Sequence, residues 1–179
     1  MEEKRLHTDS LKKEVITLRA GEKVFLSGTV FTARDAAHAR IFSLLDANAE
    51  LPFEIKNAVI YYAGPTPQKP NGQIGSFGPT TSARMDGFSP RLLNLGLAGM
   101  IGKGNRSREV IDAIVANGAV YFCAGGGFGA LISKSITSME EIAFPELGCE
   151  SVKKLEICDL PLIVGVDAFG RSIFDREKD

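Results

Sequence analysis

The chain is short of cysteine and histidine and carries no excess charge of either sign, and each shortage closes off a class of function. Three cysteines, Cys123, Cys149 and Cys158, are too few and too scattered for a disulfide framework, and none has the CxxC spacing of a zinc or redox site. They read instead as small buried hydrophobes. Two histidines, His7 and His38, with no HxxH or HxxxH arrangement, give no self-sufficient metal site. Lys and Arg number 21 against 22 Asp and Glu, so no basic surface is expected to neutralise phosphates, and no nucleic-acid partner is expected. No apolar run is long enough to span a bilayer, which argues against a membrane protein. The opening stretch MEEKRLHTDSLKKE is charged throughout and has no apolar core of signal-peptide length, so we expect a cytoplasmic location.

What is present describes an ordinary globular domain. At 179 residues and 44% apolar content, a single domain over residues 1–179 can bury roughly 70% of the surface its unfolded chain exposes. There is no internal repeat, low-complexity tract or linker. Glu14 to Leu18 and Lys23 to Ala33 alternate like strands of a hairpin around Ala20-Gly21-Glu22. Arg34 to Leu45 places Ala37, Ile41, Leu44 and Leu45 at helical spacing. Ala58 to Tyr62 reads as a strand, Gly64 to Gly78 as irregular, Pro90 to Leu97 as helix and Gly99 to Gly102 as extended. Arg108 to Asn117 reads as an amphipathic helix closed by Gly118, followed by a strand at Ala119 to Ala124 and a short helix at Ala130 to Ser135. The tail reads as strands over Glu141 to Phe144, Val152 to Cys158, Leu162 to Val166 and Ser172 to Phe174, the last following an Asp167-Ala168-Phe169-Gly170 turn. This order predicts a layered α/β or α+β domain without a regular βαβ repeat.

Functional chemistry concentrates in Gly78-Pro79-Thr80-Thr81-Ser82-Ala83-Arg84-Met85-Asp86-Gly87-Phe88, where a rigid turn, two adjacent hydroxyls, a guanidinium and a carboxylate share one short segment. The same residues also read as a helix start, with Thr80 or Thr81 as N-cap. Arg34, Arg84 and Lys103 lie among small or turn residues. Two arginines binding carboxylates bidentately, with a lysine as point charge, suit a small dianion, although each also reads as a solvated or structural cation. Asp35 and His38, at i and i+3, are placed to orient Arg34 or each other, and Asp86 to orient the loop or pair with a cation. Gly125-Gly126-Gly127-Phe128-Gly129-Ala130 satisfies GxGxxA, but the short tail beyond it leaves no room for a dinucleotide-binding domain, so a nicotinamide oxidoreductase is the weakest reading. Close backbone approach to a substrate or another subunit is the better use of these glycines. Gly102-Lys103-Gly104 lacks the Ser or Thr of a phosphate loop.

GPTTSARMD, with TARDAAH at 32–38, KGN at 103–105 and the run from Phe144 to Phe174, resembles the C-terminal domain, or separate β subunit, of the iron-sulfur hydratases, the class I fumarases and L(+)-tartrate dehydratases. The resemblance covers about Arg19 to Phe174. It implies a three-layer swivelling β/β/α domain with a mixed sheet, and a hydro-lyase interconverting fumarate and (S)-malate. It further implies a separate α subunit, in an αβ or α2β2 assembly, holding a [4Fe-4S] cluster whose open iron acts as a Lewis acid. No metal is expected on this chain alone. By the same resemblance Arg34, Arg84 and Lys103 bind substrate carboxylates, Thr80 is the candidate base for the C3 proton of malate, and Thr81 is a neighbouring substrate contact. Asp35, His38 and Asp86 support them from behind. Tartrate dehydratase, or another 2-hydroxy-diacid dehydratase, keeps the same anchors. A stand-alone anion-binding domain is the alternative outside enzyme chemistry.

Overall fold

Strand β2 (Lys23–Thr32) organises the molecule, and its alternating burial puts Val24, Leu26 and Val30 into the core. In this computed structural model, residues 3–66, 69–125 and 129–175 are described. Strand β1 (Lys4–His7) lies parallel to the first half of β2, and β3 (Val59–Tyr61) lies parallel to its end. Strands β4 (Gly99–Gly102) and β5 (Val120–Cys123) continue the parallel series. The long β7 (Val152–Val166) runs antiparallel to β2, and on its other side it pairs first with β6 (Ile136–Ala143) and then with β5. The pairings β2-β3-β4-β5-β7-β2 therefore form a closed circuit.

Two cores follow from strand alternation. Val59, Tyr61, Ile101, Val120 and Phe122 face one core, shared with β2 and β7. Ile60, Tyr62, Met100 and Tyr121 face the other, beneath helices α2 (Asp35–Asp46), α3 (Ser89–Asn94) and α4 (Arg108–Asn117). One mixed seven-stranded sheet with helices packed against it places the chain in the expected α/β class. Helix α4 is the most locally determined element. Ser107 caps it by accepting from Val110 N, Gly118 ends it at φ +60°, and Val110, Ile111 and Ile114 are buried. Each of these three contributes roughly 1.5–3 kcal/mol of apolar burial.

Several expectations need correction. Glu14 to Leu18 is not a strand but the end of helix α1 (Leu11–Glu14) and a 3-10 turn over Val15–Thr17. Leu11, Val15 and Leu18 are buried at helical spacing while Ile16 is 63% exposed, so the apparent alternation was half of a helical stripe. Between β2 and β5 the order β2-α2-β3-α3-β4-α4-β5 is a parallel βαβ series after all, hidden in the sequence by the long irregular excursion before α3. The two tail segments around Asp159 belong to the single strand β7, which bends where Asp159 takes φ +50°. Ser172 makes only a bridge to Val166, although Gly170 N does close the predicted turn onto Asp167 O at 3.0 Å. The short helix α5 (Gly129–Ser135) precedes β6, and most of the preceding glycine run lies outside the described residues. No described helix is long and apolar enough to cross a membrane.

Candidate active site

Parallel strands deliver their loops to one edge, and ligands of α/β sheets collect outside those carboxyl ends. Here β2 leads into Arg34, β3 into Tyr62-Ala63-Gly64, and β4 into Lys103. The Pro79–Arg84 segment is stitched across this edge. Ala63 and Pro79 form an antiparallel bridge, Thr80 N donates to Tyr62 O at 2.7 Å, Thr81 bridges to Lys103, and Ser82 N donates to Lys103 O at 2.9 Å. Thr80, Thr81 and Lys103 are thereby fixed side by side. Among the described residues, neither threonine hydroxyl nor the Lys103 ammonium has a hydrogen-bond or ion-pair partner. Thr81 does precede a 3-10 helix (Ser82–Met85), but its side chain does not cap it.

Arg84, on that 3-10 helix, pairs with Asp35 of α2, which brings the second loop against the first. Arg34 occupies the N-cap position of α2 in extended conformation, and its Nε stands 3.9 Å from Glu150 Oε1. Asp35 therefore serves Arg84 rather than Arg34. His38 is fully buried, with Nδ1 2.8 Å from Arg34 O. A carbonyl only accepts, so Nδ1 carries the proton and Nε2 is a bare acceptor. Burial, with a smaller opposing effect from the Arg34 carbonyl, holds the His38 pKa down at about 4, keeping the ring neutral. Three buried side-chain atoms among the described residues lack a hydrogen-bond partner, Arg34 Nε, Asp35 Oδ1 and His38 Nε2, and all three belong to the start of α2. Unsatisfied buried groups typically cost about 1–3 kcal/mol each, and these three cluster within one turn of the chain.

Beneath the loop lies a network that sequence reasoning missed. Arg106 is buried between the rings of Tyr62 and Tyr121, donating from Nε to Asp86 Oδ1 at 2.7 Å and from Nη2 to Ser89 Oγ at 2.8 Å. Burial disfavours its charge, yet Tyr62, Asp86 and Tyr121 outweigh this and raise its pKa. Asp86 also accepts from Ser107 N at 2.8 Å, so it is the counter-ion that joins the site loop to the start of α4. Ser82 Oγ meets Tyr121 OH at 2.8 Å, and that hydroxyl donates to Gly104 O at 2.8 Å. The only signal for Arg106 was its position directly after the KGN tripeptide. Glu150 and Lys153 were likewise missed.

The cysteines correct another expectation. Cys149 and Cys158 are exposed and Cys123 is half-buried; Cys149 sits in the 3-10 segment before β7 and Cys158 beside Asp159 in β7. Among the described residues no group of three or more His, Cys, Asp or Glu side chains is arranged to hold a metal ion, so the donors present do not fit an iron-sulfur cluster on this chain. A hollow of about 420 Å³ lined by Lys23, Cys123, Ile132, Leu162 and Ile163 is apolar and unsuited to a dianion.

Comparison with known sequences matches residues 1–177 to the family described as Fumarase C-terminus. The chain belongs to the fumarase C-terminus family. A protein of Methanocaldococcus jannaschii provisionally named as the β subunit of L(+)-tartrate dehydratase is 39% identical, over 92% of this chain and 88% of its own length. The anaerobic class I fumarate hydratase of Escherichia coli is 41% identical over 86% of this chain but only 28% of its own. The Escherichia coli L(+)-tartrate dehydratase subunit beta is 29% identical over 98% of this chain and 89% of its own. This fumarase C-terminus chain thus spans nearly the whole of the named β subunits and under a third of that fumarate hydratase. Its relatives are hydro-lyases.

Proposed function

We propose that the chain is the β subunit of an iron-sulfur-dependent hydro-lyase that hydrates fumarate reversibly to (S)-malate, working with a separate cluster-bearing α subunit. The observation that carries this reading is the stitching of Thr80 and Thr81 to Lys103, with Arg84 held beside the Arg34 turn, at the carboxyl ends of the parallel strands. Arg34 and Arg84 each take one carboxylate of the dianion, and Lys103 adds a point charge. Dehydration removes a proton from the carbon beside a carboxylate. The Thr80 hydroxyl takes that proton and passes it on while the neighbouring carbon loses its hydroxyl as water, and because a neutral hydroxyl is a very weak base, the step depends on the cations stabilising the aci-carboxylate that develops. Thr81 contacts the substrate beside it, and Asp35, His38 and Asp86 hold the cations and the loop in place. The cluster belongs to the α subunit, where it would supply a Lewis-acidic iron to the substrate. Docking of that subunit over the strand ends, in an αβ or α2β2 assembly, excludes water from the site.

L(+)-tartrate is the second substrate reading, favoured by the full-length match to two proteins named as tartrate dehydratase β subunits. The test is anaerobic fumarate hydration by the chain alone, with a reconstituted α subunit, and with that subunit plus Arg84→Ala. Activity confined to the wild-type complex supports the proposal. A loaded complex that leaves fumarate and malate untouched but dehydrates tartrate overturns it in favour of the second reading.

A further inference from the structure

Glu150 lies outside the three short motifs that supply the candidate site residues, yet its carboxylate stands beside Arg34 at the start of α2. Oε1 is 3.9 Å from Arg34 Nε and 3.4 Å from the Ala36 amide of the first turn of α2. The first contact is too long for a hydrogen bond, which is why Arg34 Nε is a buried donor without an acceptor. A carboxylate is therefore near the guanidinium without satisfying it.

The position of Glu150 is built rather than incidental. It ends the 3-10 segment Pro145–Glu150, whose backbone turns at Phe144 (φ +55°) and Gly148 (φ +64°). The buried Lys153 gathers this segment from below, donating from Nζ to Cys149 O at 3.0 Å, Ser151 O at 3.1 Å and Gly148 O at 3.3 Å. Lys153 N in turn donates to Thr32 Oγ1 at 3.0 Å, tying the segment to the end of the strand that delivers Arg34. On the other side the segment packs so closely on Gly64 that a Cβ there would lie 2.6 Å from Cys149 O. Asp35 pairs directly with Arg84 whereas Glu150 only approaches Arg34, so each candidate arginine already faces a carboxylate of its own chain, and only that of Arg34 is held at a distance.

We propose that Glu150 is an internal counter-ion that holds the carboxylate position on Arg34 until a dicarboxylate displaces it. The inference rests on the reading of Arg34 as a substrate anchor. Displacement leaves Arg34 with two well-aligned acceptor oxygens in place of one distant one, so the exchange favours a ligand whose carboxylate approaches closely and in plane. Glu150 thus sets a threshold on affinity, and removing its charge tightens binding of a dianion.

The test is titration of the full chain with fumarate, followed by amide NMR shifts of the 33–37 and 79–85 segments, for wild type, Glu150→Gln, Glu146→Gln and Arg34→Met. Glu146 lies in the same segment and pairs with Arg40 at 2.8 Å, so its variant makes the same charge change away from Arg34. The expected result is tighter binding by Glu150→Gln, by about two- to fivefold, the range of a partly exposed ion pair, with Glu146→Gln near wild type and Arg34→Met without binding. Equal tightening in both glutamine variants reduces the effect to general charge and overturns the proposal, as does weaker or absent binding by Glu150→Gln. Unchanged binding by Arg34→Met instead sinks the anchor reading on which the proposal depends.

Discussion

Arg106 Nε lies 2.7 Å from Asp86 Oδ1, with the arginine side chain wholly buried and the aspartate partly so. This pair joins the loop carrying Thr80, Thr81 and Arg84 to the start of α4, and Ser89 and the Tyr62 and Tyr121 rings complete the shell around the guanidinium. The site loop is therefore anchored from inside the helical layer.

Removing one partner of a buried pair leaves the other charge uncompensated. Arg106→Met should lower unfolding free energy by about 3–5 kcal/mol, and adding Asp86→Asn should recover part of that loss. Urea denaturation of the single and double variants measures it.

His38 gives the chain an acid-sensitive core. Its pKa is depressed from 6.5 to about 4 by burial, so between those values the unfolded chain binds a proton that the folded chain refuses. Stability is thus full above about pH 6.5 and falls as pH drops toward 4, by about 3 kcal/mol at most. His38→Asn, which keeps a donor toward Arg34 O, should flatten the histidine part of this slope. The chain has only two histidines, so NMR titration should show one ring that stays neutral to about pH 4.

Gly102 is a packing requirement. A Cβ there would lie 1.9 Å from Ser82 Oγ and 2.8 Å from Tyr62 Cδ2, directly under the site loop. Gly102→Ala should cost about 1–3 kcal/mol and disturb the Ser82–Tyr121 bond. Gly78→Ala, where nothing lies within 4 Å, should be close to neutral. Thermal melts of the two variants separate the positions.

The two threonines should separate kinetically. In the assembled enzyme, Thr80→Val should lower kcat by about 10²–10⁴-fold with little change in KM, the signature of a lost proton-transfer group. Thr81→Val should act mainly on KM. Equal small effects from both would remove Thr80 from the chemistry.

What was legible in the sequence was local. Helix α4 announces its start with Ser107, its buried face with Val110, Ile111 and Ile114, and its end with Gly118, all within a dozen residues. The Thr80–Arg84 loop was conspicuous because turn residues crowd reactive ones. Arg106 was not, since its burial is decided by Asp86, Ser89 and Tyr62, which reach it from other parts of the chain. Strand β1 was invisible for a similar reason. Lys-Arg-Leu-His has little apolar content and becomes a strand by pairing with Val24 to Ser27. Cys149 and Cys158 were expected inside because cysteine is commonly buried, whereas a 3-10 segment and a strand bend put them outside.

The strand that closes the circuit, β7, is also the last of the described strands. During synthesis β2, β3, β4 and β5 emerge as a parallel run whose two outer edges both wait for the same partner. Neither edge can be sealed until residues 152–166 have left the ribosome, so the nascent domain carries open strand edges for most of its translation. Truncation within β7 should therefore leave an aggregation-prone chain rather than a smaller domain.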